Sequence, residues 1–231
     1  MTPLVLLPGM MCDARLYRPQ IAALSGRIAI HLAPITEHDT VEALAEGILK
    51  NAPSRFAMAG LSMGGIVAME VYRQAPDRVE RLALLDTNPR AELDEVKQRR
   101  EPQIEKVRAG GLHDVMRDEL KPNYLANGPL RQDVLDTCMK MALDLGADVF
   151  ERQSRALQKR PDQQETLKSV NVPTLILMGR EDRLCPVDRH ELMQSLIEGS
   201  TFEIIEGAGH LPTLEQPDAV NAAFKTWLDI Q

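Results

Sequence analysis

The sequence predicts an α/β protein with a parallel sheet of six strands flanked by helices and a helical segment inserted between the fourth and fifth strands. Short, continuous apolar runs alternate with amphipathic helical stretches as far as residue 87, and the same alternation resumes after residue 170. Residues 88–169 between them contain helical patterns but no strand-like run. The expected division is therefore a core of residues 1–87 and 170–231 with a helical layer of 88–169.

Each element has a local reason. Residues 3–9 (PLVLLPG) form an unbroken apolar run, the pattern of a strand covered on both faces. Residues 16–24 read as a helix and 27–33 (RIAIHLA) as the second strand. At 39–52 a helix is expected from Asp39 followed three positions later by Glu42, a capping pattern, and from helical spacing at Val41, Leu44, Ala45 and Ile48. The third strand is 55–60 (RFAMAG), the next helix 63–74 and the fourth strand 81–87 (RLALLDT). This β-α-β order argues for right-handed crossovers and parallel pairing. In the inserted part, 91–110 is a charged helix expected to break near Pro102. A second helix is expected over 129–145, with Pro129 in its first turn and an apolar stripe through Val134, Cys138 and Ala142. The alternation then returns with a strand at 173–179, a helix at 186–197, a strand at 200–207 and a closing helix at 217–230.

Composition narrows the function classes. Hydrophobic residues make up 44% of the 231 positions, enough for a sizeable core. A net charge of −7 speaks against nucleic acid and anionic membrane surfaces as partners. Cys12, Cys138 and Cys185 are odd in number and widely spaced, which suits reduced thiols in a cytoplasmic protein better than a disulfide framework or a metal site. No apolar run reaches the roughly 18 residues of a membrane span. The first residues lack the basic start of a secretory leader.

The chemistry centres on residues 60–64, Gly60-Leu61-Ser62-Met63-Gly64, a G-x-S-x-G motif between a predicted strand and a predicted helix. By residue frequency the bare motif arises in roughly one chain of this length in ten, so its position decides. The turn it describes is tight, strains the serine backbone and requires small residues two positions on either side. It lifts the hydroxyl above the carboxyl end of the sheet at a helix N-terminus, where negative charge is favoured. A base and an acid follow in suitable order. His210 lies in a Gly-rich loop (EGAGHLPTLEQP) just after the last strand. The other four histidines lie within a strand (His31), in helices (His113, His190) or in a polar loop (His38). Asp182 lies just past the fifth strand, with Glu181 and Asp86 as rival acids. Nucleophile, acid, base is the chain order of one triad-bearing fold among several.

In LLPGMM after the first strand, GLSMGG, GREDRLCP and GAGHLPTLEQP, the sequence resembles the α/β-hydrolase superfamily over nearly its whole length. The resemblance implies Ser62 as nucleophile, Asp182 as acid, His210 as base, and the backbone N–H groups of Met63 and Met10 as an oxyanion hole. Pro8 stands where these proteins usually carry histidine, which leaves Met10 and Met11 both open as the second donor. The initial antiparallel hairpin of the family is missing, so a minimal sheet in the order 2-1-3-4-5-6 is implied, with 88–169 in the lid position.

The expected activity is that of a serine hydrolase cleaving carboxylic esters, with lactones and thioesters as related substrates, through an acyl-enzyme and without metal or cofactor. A cofactor-free lyase or carbon–carbon bond hydrolase on the same scaffold is the alternative, and a non-catalytic ligand receptor a further one. The partner expected is a small-molecule ester with a small-to-medium apolar acyl group, acted on by a monomer or homodimer. Met11, Tyr124, Met139, Met141, Phe150 and Leu211 are the candidate pocket residues, and the lid is the expected selector of the acyl group. No dedicated carboxylate clamp is evident, although Arg99, Arg100 or Arg155 could reach inward.

Overall fold

The structure, a computed structural model, describes residues 2–230. Six parallel strands are arranged in the order β2-β1-β3-β4-β5-β6. They are β1 (Leu4–Leu7), β2 (Ile30–Leu32), β3 (Phe56–Leu61), β4 (Val79–Leu85), β5 (Thr174–Gly179) and β6 (Thr201–Ile205). Register is continuous across the centre, with Leu7 opposite Gly60, Gly60 opposite Leu84, and Leu84 opposite Ile176. Strand β1 shows why both faces had to be apolar. Leu4 and Leu6 join one core cluster while Val5 and Leu7 join another on the opposite face.

Helix α1 (Arg18–Leu24) and the closing helix cover the first face, where Leu24, Phe224 and Trp227 pack under the sheet. A turn of 3-10 helix at Ala14–Tyr17 precedes α1, so the predicted first helix is split in two. Helices α2 (Val41–Asn51) and α3 (Met63–Gln74) cover the second face. The cap of α2 differs from the sequence expectation. Thr40, not Asp39, takes the cap position: its hydroxyl accepts from Ala43 N–H at 3.2 Å, and the Asp39 carboxylate turns outward to Lys159 Nζ at 2.9 Å. Either residue type satisfies a helix N-terminus, and the ion pair across to the inserted segment separates them.

Between β4 and β5 the chain is helical. It runs through α4 (Asp94–Lys106), the three-residue α5 (Leu112–Asp114), α6 (Arg131–Leu145), α7 (Ala147–Lys159) and α8 (Gln164–Lys168). Pro102 does not break α4, which continues to Lys106 despite the missing donor. Wide and irregular turns occupy 107–123, where Gly110 has φ 92. Pro129 precedes α6 rather than opening it, since Leu130 is the cap. These helices form their own apolar cluster around Ile104, Val107, Val115, Met116 and Phe150. Buried Glu70 of α3 anchors the end of the segment by accepting from Gln163 Nε2 at 2.7 Å. The chain closes with α9 (Val187–Leu196), α10 (Pro212–Glu215) and α11 (Pro217–Leu228). No helix among the described residues is long and apolar enough to cross a membrane.

His190 of α9 is fully buried, one ring face stacked on Phe202. Its Nε2 accepts from Thr87 N–H at 3.3 Å and its Nδ1 faces Pro186 O at 3.4 Å, which fixes a neutral tautomer. Burial pushes its pKa down from 6.5 to about 4. The unfolded chain therefore binds more protons between those values. The contribution is fully present above pH 6.5 and is lost as pH falls toward 4, by about 3 kcal/mol in all. Urea denaturation of His190→Gln beside the wild type should show a correspondingly smaller fall in stability between pH 7 and pH 4 for the variant. Equal falls would contradict this assignment.

Candidate active site

The turn from β3 to α3 places Ser62 at φ 56, ψ −117, a region strained for any residue with a side chain. Glycines make the turn feasible. A Cβ at Gly60 would lie 2.3 Å from Gly64 O, and one at Gly64 would lie 2.1 Å from Leu7 O, so α3 packs directly against its own strand and β1. The turn is tied to β4 by Ser62 N–H donating to Leu85 O at 2.8 Å and Thr87 Oγ1 donating to Ser62 O at 2.7 Å.

His210 follows β6. Its Nε2 lies 2.9 Å from Ser62 Oγ and its Nδ1 lies 2.8 Å from Asp182 Oδ2. With Nδ1 as donor, Nε2 is free to accept the serine proton. The His210 N–H donates to Tyr124 O at 2.6 Å, which ties the loop to the inserted segment. Glu215 holds the loop from below, accepting the N–H groups of Gly209, Leu211 and Ala126 at 2.8 to 3.0 Å. Burial raises the Glu215 carboxyl, and these donors oppose the rise. Glu215 had no signal in the sequence beyond its place in the same Gly-rich loop.

Asp182, just past β5, is buried. Its Oδ1 accepts from Leu184 N–H at 2.8 Å and Cys185 N–H at 3.1 Å. Burial alone would raise its carboxyl, but His210 and these N–H groups together hold it below the ordinary range. Of the rival acids, Glu181 is exposed. Asp86 is fully buried and accepts from Gly179 N–H at 2.9 Å, with no hydrogen bond to His210. Burial, then the charge of Asp182, push Asp86 well above the usual carboxylate range. Asp182, Cys185 and His210 bring donor atoms within 4.8 Å of one another. Burial raises the Cys185 thiol far above its ordinary value, and the other two are committed to each other, so the set is a poor metal site.

Beside Ser62, Met63 N–H at the start of α3 and Met10 N–H in the loop after β1 have no acceptor among the described residues. Met11 N–H is occupied by Gln153 Oε1 at 2.8 Å, while Gln153 Nε2 donates to Ile35 O. Gln153 of α7 thus orders the loop that Pro8 leaves without a side-chain tether, a role its sequence position did not signal.

A cavity of about 500 Å³ opens over Ser62 and His210. Met10, Met63, Ile66 and Leu184 supply apolar wall, and Leu93, Val96, Leu120 and Leu157 come from the inserted segment. Among the candidate pocket residues only Tyr124 faces this cavity. Met11 and Phe150 lie in the core of the inserted helices with Met139 packed against it, and Met141 and Leu211 lie in the core under the sheet. The helical stripe that carries Met139 and Met141 spends its apolar surface on its neighbours, not on the cavity. The arginines also sort themselves. Arg99 and Arg100 reach the cavity, joined by Arg160 and Arg189, whereas Arg155 turns away to Glu101.

A strand–serine turn–helix at the centre of a parallel sheet, with acid and histidine on later strand ends, defines a class of fold. The chain belongs to the alpha/beta hydrolase family, whose profile matches residues 4–223. Among curated proteins it is similar to a pimeloyl-[acyl-carrier protein] methyl ester esterase of Salmonella newport (strain SL254), at 29% identity over 241 residues, covering 96% of this chain and 92% of that one. Among solved structures it is similar to a thermophilic esterase from Thermogutta terrifontis with malate bound, at TM-score 0.91 and 28% identity, covering 99% of this chain and 90% of the other. An enol-lactonase from Burkholderia xenovorans LB400 matches at TM-score 0.86, covering 99% and 92%, and at 22% identity that likeness is one of fold alone.

Proposed function

We propose that the protein is a serine hydrolase of carboxylic esters in which Ser62 is the nucleophile, His210 the general base and Asp182 the acid that orients it. The observation that carries this reading is the continuous hydrogen-bonded chain from Ser62 Oγ through His210 to Asp182 Oδ2, at 2.9 and 2.8 Å. Ester hydrolysis is further supported by the names of the similar proteins, two of which are esterases.

In this mechanism His210 Nε2 takes the Ser62 proton as Oγ attacks the ester carbonyl, and Asp182 stabilises the imidazolium that forms. The oxyanion is received by Met63 N–H and Met10 N–H, whose freedom from other acceptors supports that role over Met11. Each such donor contributes about 3 kcal/mol to lowering the barrier. His210 then gives its proton to the leaving alcohol, whose departure leaves an acyl group on Ser62. Water, deprotonated by His210, attacks the acyl carbonyl and releases the acid together with free Ser62. No step requires a metal or cofactor.

Residues 88–169 act as a lid in this reading, since Leu93, Val96 and Leu120 contribute to the cavity wall and would meet the acyl group. The cavity volume of about 500 Å³ suits small-to-medium acyl groups. A panel of ethyl and aryl esters of increasing acyl length tests the reading, with cyanohydrins and 1,3-diketones run beside it. Turnover confined to esters, lactones or thioesters is the expected result. Cleavage of a diketone or cyanohydrin without ester turnover would replace it with carbon–carbon bond chemistry on the same residues.

A further inference from the structure

The cavity over Ser62 carries more positive charge than ester hydrolysis uses. Four arginines (Arg99, Arg100, Arg160 and Arg189) line it against two glutamates, Glu92 and Glu119. Glu119 is taken up by Gln103 Nε2 at 3.0 Å and Lys106 Nζ at 3.1 Å. Glu92 divides its carboxylate between two guanidinium groups, Arg100 Nη2 at 2.7 Å and Arg160 Nη2 at 3.1 Å. The Glu92 set therefore keeps one positive charge unmatched.

That surplus is largely withdrawn from water. The Arg160 side chain is 10% exposed, and its Nε–H has no acceptor. Burial pushes the Arg160 guanidinium below its ordinary range, and Glu92 only partly restores it. Arg189, in the first turn of α9, lines the same cavity and also has an Nε–H without an acceptor. That nitrogen lies 3.3 Å from the Asp188 carboxylate, but not in hydrogen-bond geometry. A guanidinium left with unmet donors away from water is costly, and a planar oxyanion is the group whose shape fits its fork of N–H groups.

We propose that Arg160 and Arg189, with Arg100 held beside them by Glu92, bind a carboxylate on the substrate, so that the preferred esters are half-esters carrying an anionic group remote from the scissile bond. A monocarboxylate matches the single unmatched charge of the Glu92 set. The inference rests on the reading of Ser62 as nucleophile, because that residue fixes which end of the cavity receives the ester. Glu92 then has a positioning role. It keeps two guanidinium groups from repelling each other while the site is empty, and lends them both to the ligand when it is filled.

The test compares monoethyl esters of linear dicarboxylic acids with ethyl esters of fatty acids of equal chain length, followed by ethanol release. The wild type should favour the half-esters by about tenfold or more in kcat/KM, as expected for a charge-assisted hydrogen bond. In Arg160→Gln and Arg189→Gln that ratio should fall toward unity, and Arg160→Lys should restore part of it. If Arg160→Gln does not fold, Arg189→Gln, the more exposed of the two, carries the comparison. A second measurement does not depend on turnover. Calorimetry on Ser62→Ala should detect binding of a dicarboxylate monoamide, weakened when Arg160→Gln or Arg189→Gln is added. Neutral esters hydrolysed as well as half-esters, or a ratio unchanged in the folded arginine variants, would overturn the carboxylate site and leave the hydrolase reading standing. Arginine-dependent binding of the monoamide with no ester hydrolysed would support the site and overturn the hydrolase reading instead.

Discussion

Replacing Ser62 with alanine is expected to lower ester turnover by about a thousandfold or more while leaving the fold intact. The magnitude is that of removing a nucleophile whose partners can act only through it. The fold should survive because the Ser62 side chain contributes a single hydrogen bond, to His210 Nε2, whereas the backbone bonds that build the turn run through Ser62 N–H and Ser62 O. Alanine at φ 56 is strained much as serine is. Turnover retained within about tenfold, in a protein with unchanged circular dichroism, would place the nucleophile elsewhere.

Asp182→Asn should also be severely damaging, with kcat reduced by about 10⁴, and the reason lies in which oxygen is committed. Oδ1 accepts two backbone N–H groups, from Leu184 and Cys185, so the asparagine oxygen takes that position and the amide NH₂ faces His210 Nδ1. The imidazole then has to present a lone pair at Nδ1 and a proton at Nε2, where it can no longer accept from Ser62. Asp86→Asn is the matched control. Asp86 has no hydrogen bond to His210 and accepts from Gly179 N–H, a bond asparagine preserves, so kcat should change less than about tenfold. Steady-state rates of the two variants decide the matter. A larger loss in Asp86→Asn would make Asp86 the acid.

The sheet and the three hydrogen-bonded side chains Ser62, His210 and Asp182 were conspicuous in the sequence because both depend on strong local constraints. A strand covered on both faces must be apolar throughout, which made Leu4–Leu7 and Thr174–Gly179 conspicuous. Ser62 needs glycine two positions away on either side, and Asp182 and His210 follow directly on strand ends. Boundaries were read less well where two residue types satisfy the same end. Thr40 and Asp39 can each cap α2, and a contact 120 positions away, to Lys159, selects between them.

The cavity wall was the part least available to sequence reasoning. Met139, Met141 and Phe150 have the composition of a flexible pocket, and helical spacing does not distinguish a face turned toward a ligand from one turned toward a neighbouring helix. Arg160 sits at the end of α7 and Arg189 in the first turn of α9, ordinary places for a solvated charge. Their partial burial depends on neighbours brought together by the fold, such as Glu92 beside Arg160, distant in the sequence. Gln153 and Glu215 were passed over for a related reason. What distinguishes them is the set of backbone N–H groups they receive, from Met11 in one case and from Gly209, Leu211 and Ala126 in the other, and backbone donors leave no mark in a sequence.

The most direct test of Ser62 as an activated nucleophile is covalent labelling with a small alkyl fluorophosphonate, followed by peptide mass spectrometry. The phosphonyl group should bond to Ser62 Oγ with loss of fluoride, the proton passing to His210, so that a single adduct maps to the peptide spanning residues 56–73. Its rate of appearance should match the loss of ester turnover, and His210→Ala should slow it by about a hundredfold or more. An adduct on any other residue, or full loss of turnover with Ser62 unmodified, would contradict the assignment.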